Sequence, residues 1–205
     1  MATPPRRIAL TGGIGTGKSF VLRHLARCGV PTLDTDVAAR DAVRPGESAL
    51  AAVVARFGPG VLRADGTLDR AGLGHLVFAD AAARRDLEAI LHPVIWRAVF
   101  EWLTGLQATG VVAVPLLFET GQQQQFDRVL LTDCPEDLEV ERVMARDGLD
   151  EVAVRARVSA QMPAAERRRL ADAVVDTSGS EEDTVRRLEM IWSGWGLPAL
   201  EPREP

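Results

Sequence analysis

The sequence predicts an α/β fold in three layers, with a parallel five-stranded sheet between helices. Three observations carry that expectation. Short, continuously apolar runs recur along the chain, stretches with apolar residues at helical spacing separate them, and a glycine-rich turn follows the first run. Strands that stay apolar without alternation are buried on both faces, as a parallel sheet under helices requires.

The elements follow in order. Residues 8–10 form the first short apolar run, and 12–17 the glycine loop. Phe20, Val21, Leu22, Leu25 and Cys28 then recur at helical spacing until Gly29. Residues 30–33 read as the second strand, ending in Asp34-Thr35-Asp36 ahead of a helix over 37–43. The third strand spans 111–118, apolar apart from Pro115 and bounded by Gly110 and Gly121. The fourth spans 128–132, and Pro135 starts a helical stretch to Arg146. The fifth spans 173–175, after which Ser180 and Asp183 make a capping-box start to a helix running toward Trp192.

Two segments interrupt this rhythm. Between the second and third strands, about 41–108 is mostly helical, with candidate helices at 49–57, 73–78, 81–91 and 94–106 and a turn at Asp65-Gly66. A helical insertion after a strand end suits an acceptor-binding subdomain. The second, about 146–170, is short, polar and arginine-rich, in the place of a mobile lid. The whole is expected to be one domain over 1–205, its core at about 1–40 and 110–195.

Composition narrows the function. The 205 residues carry 24 Lys+Arg against 29 Asp+Glu, a net charge of −5, with 46% hydrophobic and 26% charged residues. That balance describes a globular chain, and the acidic excess argues against non-specific nucleic-acid binding. No apolar run approaches the ~20 residues of a membrane helix, and a signal peptide is not expected where Arg6 and Arg7 lead straight into the short apolar run and the glycine loop. Cys28 and Cys134, with no CxxC pair, are expected as core or near-core thiols of a cytoplasmic protein, a monomer or small homo-oligomer.

The basic residues divide into 23 arginines and one lysine, Lys18, and the chain has no Asn and no Tyr. Codon bias accounts for such an imbalance; the position of the exception is informative. Gly12-Gly13-Ile14-Gly15-Thr16-Gly17-Lys18-Ser19 fits G-x-x-x-x-G-K-[ST], and the lone lysine fills the lysine slot. Glycines let consecutive N–H groups turn inward around phosphate oxygens, and the following helix presents its positive end. Lys18 would reach the β- and γ-phosphates of ATP, and the Ser19 hydroxyl would coordinate Mg²⁺. A guanine-reading N-K-x-D motif needs an Asn and a second lysine, and the sequence has neither. A small-molecule kinase is the natural reading.

With the loop followed by Asp-Thr-Asp, the sequence resembles the dephospho-CoA kinase family over about residues 7–190. The resemblance rests on residues 10–19, on Leu33-Asp34-Thr35-Asp36 with Arg40, on Asp65-Gly66-Thr67-Leu68-Asp69-Arg70, and on Leu91-His92-Pro93-Val94-Ile95. It continues through Val114-Pro115-Leu116-Leu117-Phe118-Glu119, Arg146-Asp147, Arg157 with Gln161, and Ala171-Asp172. It implies transfer of the ATP γ-phosphoryl group to the ribose 3′-hydroxyl of dephospho-CoA. Gly13, Ile14, Gly15, Thr16, Gly17, Lys18, Ser19 and Phe20 would then hold the nucleotide. Asp36 would be the carboxylate that orients or deprotonates the hydroxyl; its alternative is the N-cap of the following helix. Arg146 would offset charge on the transferring phosphate, its alternative being a cation at a helix end.

Thr11, Asp36, Arg40, Arg70, His92, Leu116, Glu119, Arg157 and Gln161 would line the acceptor site. The alternative for His92 is a structural residue at a helix break forced by Pro93. Asp36 or Glu119 would help hold the hydrated Mg²⁺. Arg167-Arg168-Arg169 reads as an exposed helix face. Two positions depart from the family pattern: Phe20 stands where a small hydroxyl residue is usual, and Asp176-Thr177-Ser178-Gly179 where Asp-Asn-x-Gly is usual.

Overall fold

The structure is a computed structural model and describes residues 6–202. The chain divides into two compact units: Asp34–Gly105 forms one, and the chain through Leu33 and from Leu106 forms the other.

The second of these contains the sheet. Its strands are β1 (Arg7–Gly12), β2 (Thr32–Asp34), β3 (Gly110–Ala113), β4 (Arg128–Asp133) and β5 (Ala173–Asp176), in the order β2-β3-β1-β4-β5. β1 pairs in parallel with β3 and β4, with Ala9 opposite Val112 and Val129, and β4 pairs in parallel with β5. The central strands are buried apart from Arg7 and Arg128 at the starts of β1 and β4, with Ile8, Leu10, Val111, Leu130 and Leu131 inaccessible to solvent. Two helices, α1 (Lys18–Arg27) and α9 (Glu181–Gly194), place Val21, Leu25, Leu188 and Trp192 in the same core. α9 starts with the predicted capping box, Ser180 accepting from Asp183 N–H and Asp183 from Ser180 N–H. Trp192 anchors the C-terminal segment by donating from Nε1 to the Pro198 carbonyl.

The third strand is shorter than the apolar run suggests. β3 ends at Ala113, and the segment after it turns, although Leu117 and Phe118 remain buried. Pro115 has no N–H for a ladder and restricts the residue before it, so apolar character there serves a packed loop.

The same unit carries α6 (Glu136–Asp147), α7 (Glu151–Ser159) and α8 (Ala164–Leu170), the last two filling the arginine-rich segment before β5. Arg167 corrects the expectation of an exposed basic face. It is 4% exposed and donates to the Met162 carbonyl at 2.5 Å, whereas Arg168 is exposed and pairs with Asp133.

The helical unit contains α2 (Thr35–Asp41), α3 (Ser48–Phe57), α4 (Arg70–Ala79) and α5 (Ala81–Gly105) around Val43, Leu50, Val53, Val61, Leu68 and Leu73. α5 is one 25-residue helix with Pro93 inside it, where the sequence predicts two helices with a break. A proline removes a single helical hydrogen bond, and the turns on either side, packed into the cluster through Leu87, Ile90, Leu91 and Val94, keep the helix continuous. No helix among the described residues is long and apolar enough to cross a membrane.

Candidate active site

The glycine loop joins β1 to α1. Gly17 occupies the α1 N-cap position at φ 82°, and no side chain caps the helix or places an acid in its first turn. The helix therefore opens with its positive end offered to the loop, Lys18 and Ser19 being its first two residues. Beneath the loop, Thr16 Oγ1 donates to the Gly13 carbonyl at 2.8 Å and contacts Thr132 Oγ1 at 2.8 Å. A Cβ on Gly12 would lie 2.2 Å from Thr132 Oγ1, so glycine is needed there for close approach alone.

Gly15 meets both demands made on a loop glycine. Its φ is +81°, and a Cβ would sit 2.7 Å from the Glu139 carbonyl oxygen and 3.0 Å from Val143 Cγ2. Gly148, at φ +66° with nothing near its missing Cβ, supplies a control. Gly148→Ala should cost only the left-handed backbone term of about 1–2 kcal/mol. Gly15→Ala should cost visibly more in a thermal melt and weaken nucleotide titrations as well; equal losses in the two variants would show that α6 does not hold the loop.

Thr177 locates the departure near the end of the chain. Its hydroxyl lies 3.0 Å from the Thr16 carbonyl and accepts from Arg142 Nη1 at 3.2 Å, while Arg142 Nη2 donates to the Thr177 carbonyl at 2.7 Å. The residue is buried. Its hydroxyl braces the loop through the Thr16 carbonyl.

The chain between α7 and α8 reaches the loop through Gln161, and the segment after β3 through Met162. Gln161 Oε1 accepts from Ile14 N–H at 2.9 Å, and Glu119 Oε1 accepts from Met162 N–H at 3.0 Å. Thr11 is buried and donates to the Pro115 carbonyl at 3.4 Å, while the adjoining Leu116 is exposed. Arg146 forks onto Asp147 at 2.7 and 2.9 Å, and Arg157 approaches the same carboxylate at 3.6 Å. The Arg146 hydrogen bonds hold Asp147 below its ordinary range.

A second pair under the loop has no motif to announce it. Glu139 of α6 and Arg167 of α8 are 2% and 4% exposed, and Arg167 Nη2 stands 3.7 Å from Glu139 Oε1. Burial pushes the Glu139 carboxyl up to about 7, Arg167 opposing the rise and Asp133 and Glu136 adding to it. A raised carboxyl favours the fold when protonated. That contribution is complete below the ordinary value of 4.5 and is lost as pH rises through about 7.

Within the helical unit, Asp34 Oδ1 accepts from Asp36 N–H at 2.9 Å and is the N-cap of α2. Asp36, in the first turn and exposed, is not the N-cap. Arg70 donates from Nη2 to the Arg40 carbonyl at 3.0 Å, bringing two cations together, and burial followed by Arg40's charge lowers the Arg70 pKa. His92 is exposed on α5, one residue before Pro93 and within the continuous helix.

A parallel sheet of this strand order, with a braced glycine loop that ends in the chain's lone lysine at a helix start, defines a P-loop phosphotransferase. The sequence comparisons narrow the class. A family model described as dephospho-CoA kinase matches residues 6–183, and the chain belongs to the dephospho-CoA kinase family.

The dephospho-CoA kinase of Geobacillus kaustophilus is 42% identical over 192 residues, covering 92% of this chain and 96% of that one. That of Thermobifida fusca is 44% identical over 188 residues, covering 91% and 94%. Among solved structures, the dephospho-CoA kinase from Campylobacter jejuni superposes with a TM-score of 0.68 at 26% identity, covering 92% of this chain and 98% of its own.

Proposed function

We propose that this chain transfers the γ-phosphoryl group of ATP to the ribose 3′-hydroxyl of dephospho-CoA, giving ADP and coenzyme A. The observation that carries the reading is the family match over 6–183, within which the single lysine falls in the phosphate-loop slot. The hydroxyl oxygen bonds to the γ-phosphorus as the bond to the β–γ bridging oxygen breaks. The hydroxyl proton passes to Asp36, and the electron pair leaves with ADP. The chemistry asks the protein mainly for positioning and charge stabilisation.

The backbone from Gly13 to Gly17, with Lys18, would bind the β- and γ-phosphates, and Phe20 would pack behind them on α1. Arg146 would meet charge developing on the transferring group, and its fork to Asp147 keeps it at the end of α6. In the helical unit, read as the acceptor subdomain, the Arg40–Arg70 pair suits the acceptor's phosphates. Asp36 and His92 would face its ribose. In the sheet-bearing unit, Thr11, Leu116, Glu119, Arg157 and Gln161 are the residues to which the family resemblance gives acceptor binding.

Mg²⁺ is implied by the loop's serine. Among the described residues no group of three or more His, Cys, Asp or Glu is placed to cage a metal. That donor set suits an ion held chiefly by water and nucleotide phosphates, with Ser19 as a protein ligand and Asp36 or Glu119 acting through water. Bound there, the ion neutralises phosphate charge. Both cysteines are free thiols, which supports a reducing, cytoplasmic setting.

The test is an acceptor panel. Purified protein with Mg-ATP is offered dephospho-CoA, AMP, shikimate and gluconate, and products are resolved by mass. Phosphorylated dephospho-CoA is the expected product; turnover of another acceptor with none on dephospho-CoA overturns the reading.

A further inference from the structure

The buried Glu139–Arg167 pair is one of several ties on α8. Arg168 already ties that helix to Asp133, and Arg167 itself is anchored to the Met162 carbonyl. What distinguishes the pair is its distance from the loop. A Cβ on Gly13 would lie 2.6 Å from Arg167 Nη2 and 3.2 Å from Glu139 Oε1, so both charges press on the first arch of the phosphate loop. Glu139 also backs the second arch, its carbonyl oxygen lying against Gly15.

The two charges are buried, so solvent screens them weakly. Their 3.7 Å separation is too long for a hydrogen bond, and Arg167 Nε is buried with no hydrogen-bond partner. A guanidinium so placed keeps much of its field. A buried cation left under-neutralised is costly for folding alone, which makes its position behind an anion-binding loop informative.

We propose that Arg167 is a positioning residue of the nucleotide site, a buried cation acting through the Gly13–Gly15 backbone on the phosphates, and that Glu139 is the counter-charge that sets its strength. The inference rests on the nucleotide reading of Gly12–Ser19. When Glu139 is ionised, it cancels part of the Arg167 field and weakens the hold on a polyanion. When it is protonated, the field is restored.

The groups facing Glu139 are consistent with this assignment. They are Arg167 and Arg168 from α8, Asp133 at the end of β4, the Cys134 thiol that follows it, raised by burial first and in part by Glu139's charge, and Glu136 on its own helix, with Arg155 of α7 engaged by Glu136 and Asp137. The loop residues that touch it, Gly13 and Gly15, carry no titrating side chain. With the carboxyl titrating at about 7, the balance shifts within the range where the enzyme can be assayed.

The two partners should therefore act with opposite signs, an outcome that a purely structural pair does not produce. The test measures the Kd of a fluorescent ADP at pH 6 and pH 8, without acceptor, in the parent, Glu139→Gln, Arg167→Met and Arg167→Lys. At pH 8 Glu139→Gln is expected to bind several-fold tighter than the parent, and Arg167→Met about tenfold weaker, with Arg167→Lys recovering part of the loss. At pH 6 the parent and Glu139→Gln should converge. Their ratio cancels the nucleotide's own titration, which both proteins share.

Weaker or unchanged binding by Glu139→Gln at pH 8 overturns the proposal, even where Arg167→Met does not fold. A parent that binds no nucleotide would instead overturn the reading of the loop. A parent that binds nucleotide but leaves dephospho-CoA unphosphorylated would overturn only the choice of acceptor.

Discussion

Lys18→Arg is expected to reduce kcat/KM by about a hundredfold to a thousandfold, the scale seen when a donor to developing transition-state charge is lost or misplaced. The substitution preserves charge, so the loss would be one of shape. An ammonium is compact and rotates its three donors freely; a guanidinium is planar, wider and forked. At Lys18 the side chain leaves the first residue of α1 beside a loop whose glycines already exclude a Cβ at Gly12 and Gly15. Composition sharpens the comparison, because arginine fills 23 of the 24 basic positions and is missing only here. Steady-state kinetics with ATP as the varied substrate, alongside a thermal melt, separate this effect from misfolding. Turnover within threefold of the parent would mean that the loop tolerates a fork and that the surviving lysine carries no information.

Asp36→Asn is the second large effect, and its signature is different. The substitution keeps the size and removes the base. General-base contributions of about 10²–10⁴ then appear in kcat, while the KM for ATP stays within a few-fold. The structure makes the experiment cleaner than the sequence allows. Asp34, not Asp36, caps α2, so Asp36→Asn leaves the helix start intact. Asp34→Ala is the matching control, since loss of an N-cap costs about 0.5–2 kcal/mol of stability. Should Asp36→Asn turn over like the parent, proton transfer would have to be assigned to another group. Should it lose stability as Asp34→Ala does, its role would be structural after all.

The sheet was legible because parallel strands leave a direct record: β1, β4 and β5 appear where continuous apolar runs end in turn or cap residues. The phosphate loop was legible because it is local, eight consecutive residues whose chemistry does not depend on distant parts of the chain. Two features were hidden for one physical reason, that burial belongs to the fold and not to a residue type. The run after Ala113 looks like a longer strand because it is apolar, yet Pro115 turns the chain and Leu117 and Phe118 are buried as loop.

Arg167 reads as the first of three exposed arginines, and nothing in α8 alone tells it from Arg169. Only α6, about thirty residues earlier, supplies Glu139 to receive it. Pro93 errs the other way, a strong local breaker overridden by the packing of the turns around it. Of the site residues, Gln161 and Glu119 show contacts that sequence could not describe, the first with the Ile14 amide and the second with Met162.

The hydroxyls beneath the loop carry a consequence in proton counting. Thr16 Oγ1 and Thr132 Oγ1 touch each other at 2.8 Å, and each also reaches a carbonyl, Gly13 at 2.8 Å and Thr11 at 3.2 Å. Those are three contacts, and two hydroxyls own only two protons. If each hydroxyl served its carbonyl, two oxygen lone pairs would face each other at hydrogen-bond distance. One proton must therefore lie between the threonines, and one carbonyl must go without a hydroxyl donor, although Gly13 still accepts from the Thr16 N–H at 3.4 Å. Either Gly13 is served and Thr11 is left, or the reverse, and the two hydroxyls rotate together when the choice changes. The 2.8 Å contact of Thr16 Oγ1 with the Gly13 carbonyl, shorter than the 3.2 Å of Thr132 Oγ1 to Thr11, favours the arrangement in which Gly13 is served and Thr132 donates to Thr16, so the loop's first arch is tied to β4 by a directed chain of two hydroxyls sealed inside the core.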